Sequence, residues 1–166
     1  MKKLIILSLF VAACATTQGP KATATLAATS GSNVSGTVAL SEQSDGAVRV
    51  TLNLQGVPPG VHGFHIHEKG DCGDNGNAAG GHFNPMSTPH GAPTADPHHA
   101  GDFGNVTADA NGNVSTSFTT RSITVGPGMH SAVGHALILH ANPDDLTSQP
   151  SGNAGARIAC GVVTLQ

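Results

Sequence analysis

Two histidines stand one residue apart in Gly63-Phe64-His65-Ile66-His67. Alternate residues of a strand share a face, so a strand here would present both imidazoles on one side and turn Phe64 and Ile66 toward a core. Alone, the pair is weak evidence for a metal, since a polar outer strand face accounts for such a pair more often. The residues that follow add weight to a metal: His82, His90, His99 and Asp102 occur in the next stretch, and His140 ends a later apolar run. Imidazole suits copper and zinc, and a carboxylate among imidazoles suits zinc. The stretch from Glu68 to Asp102 is rich in Gly, Pro, Asp and His and poor in apolar residues. It lacks the means to order itself by burial, and a bound metal would supply that order.

The elements that must position these side chains read as strands. Short alternating runs of Val, Ile, Leu and Thr occupy Ala22–Thr29, Val34–Leu40, Ala47–Leu54, Val61–His67, Phe103–Ala108, Asn113–Thr119, Ala136–His140 and Arg157–Leu165. Turn signals such as Ser44-Asp45-Gly46, Val57-Pro58-Pro59-Gly60 and Asn111-Gly112 punctuate them. No helix of any length is evident. The expectation is an all-β, antiparallel sandwich or barrel of about eight strands with two long functional loops, 68–102 and 141–156. A loop that long within a compact domain is usually functional.

Composition narrows the function classes. Charged residues make up 10% of the chain, and the net charge is −3 at pH 7. No basic run lies beyond the first three residues, which argues against nucleic acid as a partner. Residues 1–13 read as a signal peptide: Lys2 and Lys3, an apolar Leu4-to-Val11 stretch too short to span a bilayer, then Ala12-Ala13. Val11-Ala12-Ala13-Cys14 resembles the bacterial lipoprotein box, in which the cysteine is lipidated; a plain secretory signal with an incidental cysteine is the alternative. On the first reading, residues 14–21 are the lipidated N-terminus and a flexible tether, and 22–166 the domain. Losing Lys2 and Lys3 with the leader takes the net charge from −3 to −5. Cys72 and Cys160 then remain as an even pair in an oxidising compartment, read as a disulfide rather than two buried thiols. Closing that loop would stabilise the fold by roughly 4 kcal/mol on the chain-entropy account.

The motifs that carry these residues resemble a known family. Gly63-Phe64-His65-Ile66-His67-Glu68, Gly80-Gly81-His82-Phe83-Asn84-Pro85, His90-Gly91-Ala92-Pro93, His99-Ala100-Gly101-Asp102-Phe103-Gly104-Asn105-Val106 and Gly152-Asn153-Ala154-Gly155-Ala156-Arg157-Ile158-Ala159-Cys160-Gly161-Val162 closely resemble the copper/zinc superoxide dismutases. The intervals of 2, 15, 8, 9 and 3 residues from His65 through Asp102 match as well.

The resemblance implies a Greek-key, immunoglobulin-like sandwich and one copper and one zinc ion per subunit. Copper would be held by His65, His67, His82 and His140, and zinc by His82, His90, His99 and Asp102, with His82 bridging. Asp144 would hydrogen-bond His65 and His90, and Arg157 would guide and dock the anion. The implied reaction converts superoxide to dioxygen and hydrogen peroxide. Copper would cycle and zinc, a redox-inert ion, would support His82. The 141–156 loop is about six residues shorter than in the commonest eukaryotic members and carries no lysine. Steering would therefore fall to Arg157, the metals and Lys69. His62, His98, His130 and His135 match no ligand position and read as structural or surface residues; Asp145 has no assigned role.

The implied location is the periplasm or cell envelope, with membrane contact only through the N-terminal lipid; a homodimer stays open. Two alternatives use the same residues: a periplasmic copper/zinc-binding protein without turnover, and a disulfide-bonded sandwich with histidines for solubility.

Overall fold

The computed structural model describes residues 19–166. The expected leader 1–13, Cys14 and residues 15–18 lie outside them.

Among the described residues, nine strands form: β1 (Lys21–Ala28), β2 (Ser35–Glu42), β3 (Val48–Gln55), β4 (Gly60–His67), β5 (Asp102–Ala108), β6 (Val114–Thr120), β7 (Ala136–His140), β8 (Arg157–Val162) and β9 (Thr164–Leu165). In β3, Val48, Val50, Leu52 and Leu54 are buried while Arg49, Asn53 and Gln55 face solvent, the period of two expected of a half-buried strand. Antiparallel pairing follows the order β5-β4-β7-β8-β1-β2-β3-β6, and β9 pairs β1. The path is a nearly closed eight-strand barrel or sandwich, as the alternation predicts.

The strand expected at Arg157–Leu165 is divided. Val163 is fully buried between β8 and β9, and β9 pairs the start of β1 while β8 pairs its end. The 68–102 loop also contains a short irregular 3-10 segment, Asp74–Ala79, where the sequence indicated no helix. The connection from Arg121 to His135 has no regular strand. Glu42 anchors it by accepting hydrogen bonds from the Val125 and Gly126 N–H groups.

The site rests on the sheet containing β4 and β7. Phe64 pairs with Leu139 and Ile66 with Leu137 on the core face, whereas His65 pairs with Ile138 and His67 with Ala136 on the other. All five residues of β7, Ala-Leu-Ile-Leu-His, are buried. A strand covered on both faces reads as a continuous apolar run, and the two long loops provide that second cover. The disulfide between Cys72 and Cys160 ties the first loop to β8 across 88 residues, beside Ala79, Ala136 and Ile138.

Candidate metal centre

β4 and β7 deliver the first three ligand candidates. His65 and His67 are one pleat apart, and a bulge in the β7–β8 pairing sets His140 opposite Arg157. His82 comes from the 68–102 loop, paired with His67 by an isolated bridge. Each of these four histidines offers a ring nitrogen within 4.8 Å of the others, and the His67 and His140 Nε2 atoms are 3.3 Å apart.

A second group adjoins it. His82, His90, His99 and Asp102 likewise offer ligand atoms within 4.8 Å of one another. The Nδ1 atoms of His82, His90 and His99 lie 2.7, 3.0 and 3.2 Å from Asp102 Oδ1. Four ligands in a tetrahedron with bonds of about 2.0–2.1 Å would be separated by about 3.3 Å, so this packing is close to the required size. His82 belongs to both groups, its Nδ1 in the second and its Nε2 free for the first.

The residues fit a metal on a second count. His65 Nδ1, His82 Nε2, His90 Nδ1 and His99 Nδ1 are buried with no hydrogen-bond partner in the protein. Buried polar atoms are ordinarily paired because desolvation without a partner is costly. Orphaned nitrogens converging on two points are those a cation would satisfy.

The opposite ring nitrogens are fixed. His67 Nδ1 donates to the Gly80 carbonyl at 2.9 Å and His140 Nδ1 to the Gly155 carbonyl at 3.2 Å. Carbonyls only accept, so these bonds leave lone pairs on Nε2. His65 Nε2 donates to Asp144 Oδ2 at 2.8 Å and His90 Nε2 to Asp144 Oδ1 at 3.0 Å. One buried aspartate thus orients a ring in each group, the arrangement by which outer partners set tautomer and aim. Asp144 is itself held by Asn105, whose amide accepts from its N–H and donates to its carbonyl.

Burial drives the protonation states. It lowers the pKa of His65 to about 4 and that of His140 to about 3, and holds His67 well below its ordinary value. For Asp102, burial opposes ionisation, but bonds from His82 and from the His99 and Gly91 N–H groups outweigh it and keep the carboxyl well below the usual range. The rings of His65, His67 and His140 are therefore neutral and Asp102 ionised near neutrality, the forms that bind metal.

This sets a pH dependence for the metal-free protein. Below about pH 6.5 the unfolded chain takes up protons on these histidines, while the folded chain resists until about pH 4 and 3. The unfolded state then binds more protons, so stability decreases as pH is lowered through that window. Urea midpoints of chelator-treated protein should drop between pH 7 and pH 4; a flat profile would contradict the burial argument.

A cleft of about 460 Å³ opens over the first group, lined by His67, His82, His140 and Arg157. The Arg157 guanidinium is half-buried and donates to the Gly76 and Gly80 carbonyls at 2.5 and 2.6 Å. Burial lowers its pKa, yet a guanidinium stays charged at neutral pH. Among the cleft-lining residues there is no carboxylate and no lysine; Lys69, considered for steering, is exposed and does not line it.

The histidines without a ligand match stay outside both groups. His62 is buried, its ring nitrogens 2.8 and 2.7 Å from the His140 and Pro58 carbonyls, and His135 stacks on Phe83. Asp145 accepts from Thr147, Ser148 and Asn153 and knits its own loop. Asn105 and Gln149 were not singled out by sequence. Asn105 lies inside a quoted motif, whereas nothing around Gln149 marks it.

Residues 34–163 match the family described as copper/zinc superoxide dismutase. A crystal structure of the clock protein EA4 is similar, with a TM-score of 0.81 and 36% sequence identity over 88% of this chain and 94% of that one. With that match spanning nearly the whole sheet scaffold and both histidine groups, the chain belongs to the copper/zinc superoxide dismutase family.

Proposed function

We infer that this chain is an active superoxide dismutase, binding one copper at His65, His67, His82 and His140 and one zinc at His82, His90, His99 and Asp102. The observation that carries this reading is His82: one ring nitrogen serves each group, and its Nε2 has no partner within the protein. Bound copper supplies the one-electron exchange, by which two superoxide anions and two protons become dioxygen and hydrogen peroxide.

The protein's own residues do the rest. Arg157 is the fixed positive charge of the cleft, and the absence of any carboxylate among its lining residues leaves nothing there to repel an anion. Asn77, Asn84 and Asn153 give the walls neutral hydrogen-bonding groups. His82 Nε2 is placed to hold a proton and return it. The ionised Asp144 keeps His65 and His90 aimed.

Superoxide consumption by metal-loaded protein, against a metal-free control, tests the reading. Full loading with two metals and no consumption would favour a copper/zinc-binding protein without turnover. Arg157→Ala should retain both metals, slow turnover about tenfold and flatten its dependence on ionic strength, since steering by charge is weakened by salt. Unchanged salt dependence would remove Arg157 from the steering role.

The leader and Cys14 support an exported, lipid-anchored protein of the cell envelope. Labelled fatty acid incorporated into the wild-type chain and lost in Cys14→Ala is the expected outcome.

A further inference from the structure

We propose that Gln149 is a positioning residue for the zinc group, acting through the main chain of His90. This rests on the reading of His82, His90, His99 and Asp102 as a metal site. The Gln149 side-chain oxygen accepts from the His90 N–H at 2.8 Å, and its nitrogen donates to the His90 carbonyl at 2.9 Å. The carboxamide thus occupies both backbone groups of one residue, as a neighbouring strand would.

The two loops that build the site meet at this residue. Among the described residues, the direct hydrogen bonds between 141–156 and the 68–101 loop are the two that His90 exchanges with Gln149 and the one that His90 Nε2 donates to Asp144 Oδ1. All end on His90. Asp144 alone would let the histidine pivot about Nε2, because its backbone lies in a loop with little apolar packing. With the backbone held by Gln149 and Nε2 by Asp144, the remaining nitrogen, Nδ1, is aimed at the 3.0 Å approach to Asp102 Oδ1.

Pro150 and Ser151, the next two residues, line the cleft above the first group. Gln149 therefore joins the wall of the anion cleft to the backbone of the second group. The 141–156 loop has no lysine and few apolar residues, so it relies on this polar clamp for its order.

The test uses cobalt(II) as a spectroscopic probe of the zinc group in full-length protein, with affinity measured by chelator competition. Gln149→Ala removes the clamp, and Gln149→Met removes its hydrogen bonds while keeping length. Outer partners of metal ligands typically contribute 10–100-fold in affinity. Both variants should bind cobalt about tenfold more weakly, with a shifted visible spectrum and faster exchange of the His90 amide hydrogen, while copper affinity changes less. Wild-type cobalt affinity and His90 exchange in Gln149→Met would overturn the proposal, as would equal losses at both metals, which mean general loosening. No tetrahedral cobalt spectrum even in wild type would instead reject the underlying metal-site reading.

Discussion

His82→Ala should abolish dismutation and weaken both metals at once, whereas His67→Ala and His99→Ala should each weaken one. Two groups of four ligand candidates share this residue alone. Removing it leaves three donors on each side and opens a cavity where the ring stood. Loss of an outer partner commonly costs 10–100-fold in metal affinity; loss of a direct ligand should reach at least about 100-fold. The rings of His65 and His82 lie 4.1 Å apart, and those of His82 and His99 5.6 Å apart in an edge-on arrangement. Copper and zinc titrations of the three variants decide the matter. Wild-type zinc affinity in His82→Ala would refute a shared imidazole, and activity in that variant would refute the mechanism.

Gly152→Ala should cause a large loss from a single methyl group placed against the metal centre. Gly152 has φ +68°, and an added Cβ would lie 1.8 Å from Asp144 Oδ1 and 2.8 Å from His90 Nε2. No packed pair of atoms tolerates that approach, so the loop or the aspartate must move. The left-handed backbone costs an alanine roughly 1 kcal/mol, and displacing a buried, hydrogen-bonded carboxylate a further 1–3 kcal/mol or so. A destabilisation on the order of 3 kcal/mol in the metal-free protein is expected, together with weaker zinc binding. Gly31→Ala is the control. Its φ is +73° with nothing within 4 Å of the added carbon, so it isolates the backbone cost. Equal denaturation midpoints for the two variants would show that the clash relaxes harmlessly.

The strands were legible because alternation reports burial directly. Val48 to Leu54 alternates along β3, and β7 reads as an unbroken apolar run. The split at Val163 was not legible, since a residue that turns inward between two short strands resembles one more member of a single strand. The 121–135 connection, held by Glu42 from a distant strand, carried no local pattern to find.

Residue type and interval named the ligand candidates, because metal chemistry admits few side chains and the motifs around these are distinctive. Cysteine number pointed to the Cys72–Cys160 disulfide for a similar reason. The resemblance already implied that His82 is shared and that Asp144 reaches His65 and His90; only the tertiary structure decided which ring nitrogen makes each contact, and that Gln149 grips His90 across 59 positions. These are relations between segments distant in sequence, set by how two loops with little apolar content fold over a sheet. A local pattern records which side chains are available; their mutual angles and the polar contacts that fix them arise only when the chain is closed upon itself.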